Sequence, residues 1–115
     1  MDNCIFCKIV KGEIPSRIIY EDEHVIAFHD INPIAPIHIL LIPRLHISSF
    51  NDILPENKEL MGHMAWVSKE IAKQNKIDEK GYRIVFNCGE HGGQEVNHLH
   101  AHILGGRFLG GLVKR

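Results

Sequence analysis

The sequence lacks a long hydrophobic run, a surplus of charge of one sign and an even set of cysteines. Its longest apolar stretch, IHILLIP, is far shorter than the ~20 residues that cross a bilayer. The N-terminal region carries scattered charges and no apolar core of signal-peptide length. Lys and Arg number 13 against 14 Asp and Glu, and the three cysteines make no paired framework. These features exclude membrane spans, bulk nucleic-acid partners and a disulfide scaffold, and they predict a soluble cytoplasmic protein.

The length of 115 residues and the apolar content of 44% predict one domain, residues 1–115, with its own core. CIFCKIVKG is predicted to form a short helix that Asn3 caps and Gly12 ends. PENKELMGHMAWVSKEIAKQNK is predicted to form a long helix, with Pro55 in its first turn. The apolar face of the long helix consists of Leu60, Met64, Val67 and Ile71.

Five segments have the composition of strands. RIIYEDEHVIAFHD predicts two strands around a turn at Asp22 and Glu23, and HILLIP predicts a strand buried on both faces. YRIVFN and HLHAHILG predict two more, and the proline-rich NPIAP predicts a loop. The expected fold class is therefore α+β, an antiparallel five-stranded sheet with one long helix packed on it and a short N-terminal helix.

Nine histidines are the unusual feature of the composition, and three of them alternate in NHLHAHILGG. Alternate residues of a strand share one face, so His98, His100 and His102 should lie together while the apolar residues between them enter the core. One histidine on a polar face is ordinary, but three in strict alternation indicate a site. Such a face suits either a zinc ion with one open position or the handling of phosphate, where neutral imidazole attacks phosphorus.

The segment before the histidines, NCGEHGGQEV, favours phosphate. Gly89, Gly92 and Gly93 allow backbone N–H groups to approach an anion closely. Gln94 adds a side-chain amide, and Asn87 ends the preceding strand with another donor. Because many glycine-rich loops are plain turns, this interpretation depends on the attachment of the loop to the histidine segment.

HLHAHIL resembles the His-x-His-x-His-x-x motif of the histidine-triad (HIT) family. Four more segments are similar to further blocks of the Hint branch of that family: GGQEV, GGR, IFCKIVKGEIPS and FHDINPIAPIHILLIPRLH. The tail RFLGGLVKR resembles bacterial members, since it lacks the aromatic ending of the animal type. The resemblance implies a HIT-like domain, a homodimer with its sheets joined, and a purine nucleotide substrate or product such as AMP or GMP. It implies no cofactor for catalysis.

The resemblance also implies roles for the histidines. His100 would attack the α-phosphorus and carry the nucleotidyl group until water releases it. His102 would contact the phosphate and the leaving atom. His98 would orient the site, in either a structural or a catalytic role. His38 matches a further family histidine near the catalytic one, or it is a hydrogen-bonded residue at a strand edge.

Contacts with the nucleotide follow in the same way. Asp30 matches the carboxylate that binds the ribose hydroxyls. The residues that match an apolar base pocket, and that suit a core equally well, are Phe6, Ile9, Phe28 and Ile31. Those that match phosphate contacts are Asn87, Gly93 and Gln94. Glu95 departs from the animal pattern, where a serine often donates a proton to the leaving amine.

Cys4 and Cys7 form a C-x-x-C pair, for which three explanations stay open. Some HIT proteins join such a pair to the histidine of PRLH and to the first triad histidine, here His46 and His98. Two thiolates and two imidazoles make a closed structural zinc site. The pair is otherwise a redox site or two buried free thiols.

The predicted activity is hydrolysis of the P–N bond of purine nucleoside phosphoramidates, or of aminoacyl- or lysyl-nucleotides. The alternatives are a dinucleoside polyphosphate hydrolase with the same nucleophile, a nucleotide-binding scaffold with little turnover, and a hydrolase whose triad binds zinc. Met61 and Trp66 lie off the apolar face of the long helix, and we expect them in the dimer interface.

Overall fold

A computed structural model describes residues 3–113 of the chain. Two short 3₁₀ turns, Phe50–Asp52 and Pro55–Asn57, precede the long helix, so helical backbone starts at Pro55 as expected. Within residues 3–113, neither helix is long and apolar enough to cross a membrane. In chain order the elements are α1 (Ile5–Val10), β1 (Ile18–Glu21), β2 (Val25–His29), β3 (Ile37–Pro43), α2 (Lys58–Gln74), β4 (Tyr82–Phe86) and β5 (Ala101–Gly105).

The five strands form one antiparallel sheet in the order β1-β2-β3-β5-β4. The last strand lies inside the sheet, where Ile103 is opposite Ile39 of β3 and Ile84 of β4. All residues of β3 after the first are buried, as predicted for a strand that is covered on both faces. The predicted α+β class and the five-stranded antiparallel sheet are confirmed.

The long helix covers one face of the sheet. Met64, Val67 and Ile71 have no exposed surface, and Leu60 packs at the margin of the same core. Burying a side chain of this size contributes about 1.5–3 kcal/mol, so this apolar face holds α2 on the sheet. The core also contains the apolar residues that alternate with the histidines, which are Leu99, Ala101 and Ile103. Their predicted orientation is therefore confirmed.

The short helix lies on the opposite face. Phe6 and Ile9 of α1 belong to a second apolar cluster, whose other buried members are Ile26, Phe28, Leu40 and Ile42. Because side chains alternate along a strand, this cluster uses the residues of β2 and β3 that point away from α2. The ring of His100 lies on this face, with its centroid 5.2 Å from that of Phe6.

The N-terminal cap of α1 is Cys4 rather than the predicted Asn3. Cys4 has extended backbone dihedrals, and its sulfur accepts a hydrogen bond from the N–H of Cys7 at 3.3 Å. The end of the helix agrees with the prediction, since Gly12 follows it with φ of +77° in the left-handed region that glycine favours. The cap brings both cysteines to the start of the helix.

The last strand begins later than expected, so only His102 of the three alternating histidines lies in it. The chain bends at His98, and the N–H of Leu99 bonds to the carbonyl of Ile47 in the segment after β3. This bond lies outside the ladder between β3 and β5, which starts at Ala101. The alternation of faces continues through the segment although the regular ladder does not.

The predicted turn between β1 and β2 is built around Asp22. One carboxylate oxygen accepts the N–H groups of His24 and Val25 at 2.8 and 2.9 Å. The other accepts from the hydroxyl of Tyr20 at 2.8 Å and from the ring of His63 at 2.7 Å. Burial acts against the charged form, but these hydrogen bonds outweigh it and hold the pKa of Asp22 well below its usual range. Since His63 lies on α2, the turn ties the helix to the edge of the sheet.

Candidate active site

A cavity of about 470 Å³ opens beside α1 on the sheet face that α2 does not cover. A cleft of about 580 Å³ next to Cys4 is larger, but none of the three alternating histidines lines it. The walls of the cavity beside α1 come from α1, the loop before β3, the strands β3 and β5, and the glycine-rich loop after β4. The lining residues are Phe6, Asp30, Asn32, Ile34, His38, Leu40, Asn87, Gly93, Glu95, Val96, His100 and His102.

His100 is held in the tautomer that suits a nucleophile. Its Nδ1 lies 2.7 Å from the carbonyl oxygen of His98, and because a carbonyl only accepts, Nδ1 carries the ring proton. The lone pair then belongs to Nε2, the ring atom that can attack an electrophile. Only 5% of the residue is exposed, and the ring of Phe6 packs against it at 84°. The orientation of the imidazole is therefore fixed before a ligand binds.

His102 is oriented as a hydrogen-bond donor by contacts that begin in the backbone. The N–H of Ile34 donates to Nδ1 of His38 at 3.2 Å, so the proton of that neutral ring lies on Nε2. Nε2 of His38 lies 2.9 Å from Nδ1 of His102 and donates to it. The remaining proton of His102 is therefore on Nε2, the ring nitrogen that is left for a ligand.

Burial keeps both of these imidazoles neutral near pH 7. It is the main cause that lowers the pKa of His102 to about 4, with smaller contributions from the rings of His100 and His38. Burial also lowers the pKa of His38, although the carboxylate of Asp30 acts in the opposite direction. Since neither ring takes up a second proton at neutral pH, the direction of the hydrogen bond between them is defined.

Asp30 connects the histidines to a second part of the site. One oxygen lies 3.4 Å from Nε2 of His38, and the other accepts the N–H of Asn32 at 2.7 Å. Donor atoms of Asp30, His38 and His102 lie within 4.8 Å of one another, which these hydrogen bonds already explain. Asp30 lines both the cavity and a neighbouring cleft of about 530 Å³. The predicted ribose-binding carboxylate thus lies beside the predicted catalytic histidines.

The glycine-rich loop is held in shape by Gln94. Its Nε2 donates to the carbonyls of Ser48 and Val96 at 2.7 and 3.0 Å, and its Oε1 accepts the N–H of Gly89 at 3.0 Å. Both amide protons are therefore used inside the protein. Gln94 was predicted to contact phosphate, but in this structure it shapes the loop and is not part of the cavity wall.

Other residues of the loop do reach the cavity. Asn87, Gly93 and Glu95 line it, and Glu95 is exposed to solvent at its mouth. A Cβ at Gly92 would lie 2.4 Å from the carbonyl oxygen of Cys88, so only glycine fits this tight turn. Gly93 has φ of +80°, which also favours glycine. The loop therefore presents backbone and two polar side chains to the cavity.

The residues predicted to form a base pocket are separated. Phe6 lines the cavity, whereas Ile9 and Phe28 are buried behind it at 7% and 4% exposure. Ile31 is 88% exposed and lines the neighbouring cleft. Leu40 adds a second apolar wall that was not predicted. In the single chain, the apolar surface next to the histidines is therefore smaller than expected.

The four predicted metal-binding residues meet beside α1. The sulfurs of Cys4 and Cys7 and Nδ1 of His46 and His98 all lie within 4.8 Å of one another. Nδ1 of His98 lies 3.3 and 3.6 Å from the two sulfurs, and Nδ1 of His46 lies 3.2 Å from that of Cys7. In a tetrahedral zinc site, bonds of about 2.3 Å to sulfur and about 2.05 Å to nitrogen separate these atoms by about 3.6 Å. The donor set and its spacing fit a zinc ion.

The side chain of His98 belongs to this cluster and not to the cavity. Its Nε2 donates to the carbonyl of Pro43 at 2.8 Å, which leaves the lone pair on Nδ1 facing the sulfurs. The residue has no exposed surface, and burial is the main cause that lowers its pKa to about 4. Nε2 of His46 contacts Oγ of Ser48 at 3.2 Å, and such outer contacts keep ligating imidazoles in orientation. Within residues 3–113, no potential metal site contains all three triad histidines.

Known proteins share both the motif and the fold. The family model of the HIT domain matches residues 11–109, which is most of the chain. The chain belongs to the HIT family. Among its relatives, the purine nucleoside phosphoramidase of Escherichia coli (strain K12) is 49% identical over 112 residues, which cover 97% of this chain and 94% of that protein.

Solved structures of HIT proteins agree with this assignment. A HIT family hydrolase from Clostridium thermocellum is similar with a TM-score of 0.95 and 46% identity, covering 99% of both chains. A histidine triad protein from Clostridium difficile is similar with a TM-score of 0.93 and 50% identity, covering 98% of this chain and 97% of that one. The present HIT protein is an enzyme, a hydrolase.

Several residues that line the cavity were not predicted from the sequence. Leu40 could have been predicted as a lining residue, because it follows His38 by two positions on a strand and therefore lies on the same face. Asn32 and Ile34 lie in the proline-rich loop before β3, whose course no periodicity predicts, and Val96 precedes the bend at His98. The same loop supplies the backbone N–H that orients His38.

Proposed function

We propose that this HIT hydrolase cleaves the P–N bond of purine nucleoside phosphoramidates, or of aminoacyl- or lysyl-nucleotides, through a covalent nucleotidyl-histidine intermediate. The observation that carries the proposal is the tautomer of His100, whose Nδ1 donates to a carbonyl while Nε2 keeps its lone pair beside the cavity. The name of the relative from Escherichia coli, purine nucleoside phosphoramidase, supports the same substrate class.

In the first half of the reaction, Nε2 of His100 forms a bond to the α-phosphorus and the P–N bond breaks. The nitrogen takes a proton from the carboxyl group of Glu95 at the mouth of the cavity and leaves as an amine. His102 donates from Nε2 to a phosphate oxygen and stabilises the charge that develops there. The product of this half is a nucleotidyl group on His100.

In the second half, water attacks the phosphorus and the bond to His100 breaks. The carboxylate of Glu95 takes the proton of the attacking water, which returns it to its starting state. Neutral imidazole leaves with its lone pair again on Nε2, because the carbonyl of His98 retains the proton of Nδ1. The nucleoside monophosphate then dissociates.

The nucleoside part of the substrate is proposed to bind between Asp30 and the apolar wall. The carboxylate of Asp30 accepts hydrogen bonds from the 2′- and 3′-hydroxyls of the ribose, and the base contacts Phe6 and Leu40. Asn87 and the backbone of Gly93 contact the phosphate from the glycine-rich loop. Ile31 contacts the base from the adjoining cleft, which Asp30 also lines.

We also propose that Cys4, Cys7, His46 and His98 hold a structural zinc ion. The fit of their spacing to a tetrahedral site supports this, together with the outer contacts of both histidines. Four protein ligands leave no open position for substrate, so the ion would stabilise structure and take no part in bond cleavage. The thiolates stay reduced in a site of this kind, which is consistent with the predicted cytoplasmic location.

A substrate panel tests the proposed activity. We expect kcat/KM for adenosine phosphoramidate to exceed that for diadenosine polyphosphates by on the order of 10²-fold, because a site built for one leaving group discriminates strongly against another. The reverse preference would identify a dinucleoside polyphosphate hydrolase. Binding of AMP without turnover of either substrate would identify a nucleotide-binding scaffold.

Treatment with a chelator distinguishes the proposed reaction from catalysis by a zinc ion bound to the triad. We expect chelator to leave activity unchanged as long as the melting curve of the protein is unchanged. Complete loss of activity with an unaltered melting curve would instead show that a metal ion acts in catalysis.

We propose that the chain forms a two-fold dimer through α2 and the edge strand β4. Trp66 of α2 is 52% exposed and Ile84 of β4 is 40% exposed, whereas Met61 already packs partly against the core. Because β4 is at the sheet edge, an antiparallel pair of β4 strands would join two sheets. We expect sedimentation at micromolar concentration to show a dimer, and Trp66→Glu to shift it towards the monomer. A wild-type monomer under these conditions would contradict the proposal.

A further inference from the structure

The GGR segment, residues 105–107, brings the end of β5 against the loop that precedes β3. A Cβ at Gly105 would lie 2.8 Å from Cδ1 of Ile77, and a Cβ at Gly106 would lie 2.8 Å from Cβ of Pro36. Gly106 also has φ of +97°, a conformation that glycine adopts without strain. Because the backbone passes so close to Pro36, the side chain of Arg107 reaches the same loop.

Arg107 and His38 hold the backbone of Ile34 from two sides. Nη2 of Arg107 donates to the carbonyl of Ile34 at 3.1 Å, and Nη1 donates to the carbonyl of Phe108 at 2.9 Å. The N–H of Ile34 donates to Nδ1 of His38 at 3.2 Å. Ile34 itself is 67% exposed, so these hydrogen bonds rather than core packing define the orientation of its backbone.

The N–H of Ile34 helps to determine which nitrogen of His102 carries a proton. The carboxylate of Asp30, 3.4 Å from Nε2 of His38, acts in the same direction. With this N–H in place, His38 donates from Nε2 to His102, and Nε2 of His102 is a donor towards the phosphate. Without it, only Asp30 opposes the alternative pair of tautomers, in which His102 donates from Nδ1 to His38. Nε2 of His102 would in that case present a lone pair to the phosphate oxygens, which repels them.

We propose that Arg107 is a positioning residue for the reaction, which acts through the backbone of Ile34 to keep His38 and His102 in the tautomers that place a donor at the phosphate. The inference rests on the proposed nucleotidyl transfer to His100. Arg107 lines a separate cleft, which Lys76 and Phe108 also line, and is not part of the wall of the catalytic cavity. It therefore acts through other residues and without contact to the nucleotide.

Arg83 provides a matched control. Its Nη2 donates to the carbonyl of Gly110 at 2.8 Å, so this arginine also holds the C-terminal segment by a backbone oxygen. The contact is with the tail and not with the loop that carries Ile34. Arg83→Ala therefore removes an arginine and releases the tail, while the contact between Arg107 and Ile34 is left intact.

The test compares Arg107→Ala, Arg107→Lys and Arg83→Ala by nitrogen NMR of the imidazole rings and by steady-state kinetics with adenosine phosphoramidate. In wild type and Arg83→Ala, we expect His102 to be protonated at Nε2. In Arg107→Ala we expect both tautomers, with kcat lower by about 5- to 30-fold because one orienting hydrogen bond is lost. KM should change by less than about 3-fold, since ground-state contacts remain. Lysine keeps a donor, so Arg107→Lys should recover most of kcat.

Two results would overturn the proposal. One is an unchanged tautomer of His102 in Arg107→Ala, and the other is an equal loss of kcat in Arg83→Ala. Melting curves are recorded for each variant, and Arg107→Met, which keeps the side-chain stem but has no donor, replaces the alanine variant in the comparison if that variant unfolds. The NMR measurement needs no substrate, so a tautomer change without any phosphoramidase activity in wild type would contradict the proposed function alone.

Discussion

Replacing His100 with alanine is expected to lower kcat for a purine nucleoside phosphoramidate by roughly 10⁶-fold. Loss of a catalytic nucleophile has about this effect on other hydrolases. Loss of one hydrogen-bond partner costs only ~1–3 kcal/mol, or about 5- to 150-fold. The ring of His100 is buried and its Nδ1 is bonded to a carbonyl, so Nε2 is the atom that the substitution takes from the reaction.

Nucleotide binding distinguishes this loss from a collapse of the site. AMP should bind to His100→Ala within about 5-fold of wild type, because Asp30 and the glycine-rich loop are unchanged. His102→Ala, which removes one donor to the phosphate, should lose about 10²- to 10³-fold in kcat. Substantial activity of His100→Ala, in enzyme free of wild-type contamination, would show that the covalent mechanism is wrong.

Rapid quenching provides a direct view of the intermediate. Wild-type enzyme mixed with substrate should yield an acid-labile nucleotidyl adduct on the peptide that contains NHLHAHILGG, and His100→Ala should yield none.

Replacing Cys7 with serine is expected to remove bound zinc and to lower the melting temperature by on the order of 10 °C or more. A metal that binds only the folded chain stabilises it by about 4 kcal/mol at a free concentration of 1,000 times its Kd. The sulfur of Cys7 contacts both histidines of the cluster, so its loss affects both of them. Elemental analysis and thermal unfolding of the same samples measure the two effects together.

Cys88→Ser is the matched control, because Cys88 is the third cysteine and lies outside the cluster of donor atoms. It should keep about one zinc per chain and the melting temperature of wild type. Wild-type protein that is free of metal after purification without chelator, and as stable as a zinc-loaded sample, would leave Cys4 and Cys7 as ordinary free thiols.

The predictable part of the fold depends on periodicity. The spacing of Met64, Val67 and Ile71 depends only on helix geometry, and the orientation of Leu99 and Ala101 depends only on extended backbone. Both follow from the sequence without knowledge of distant contacts. The start of β5 does not, since the N–H of Leu99 bonds outside the ladder to the carbonyl of Ile47, which is remote in the sequence.

The site was predictable as a set of residues but not as a set of roles. The triad pattern predicts that His98 and His100 face the same side, yet their rings are used differently. The bond from His98 to the carbonyl of Pro43 directs its ring to the cysteines, and no sequence pattern reports that bond. In the same way, the side-chain amide of Gln94 is of a type that can bind phosphate. In the structure this amide donates to the carbonyl of Ser48 instead, and no sequence pattern reports that contact.

The walls of the catalytic cavity carry an unusual balance of charge for a site that receives a phosphate. The lining residues of the described chain include the carboxylate of Asp30, the carboxyl group of Glu95 and neutral imidazoles, but no lysine or arginine. An anion that enters gains no ion pair there, so fixed N–H dipoles must hold it. Each further negative charge on a ligand adds repulsion from the carboxylate of Asp30 without a compensating cation. Electrostatics alone therefore disfavour a chain of several phosphates and favour a single phosphoryl group joined to an uncharged nitrogen.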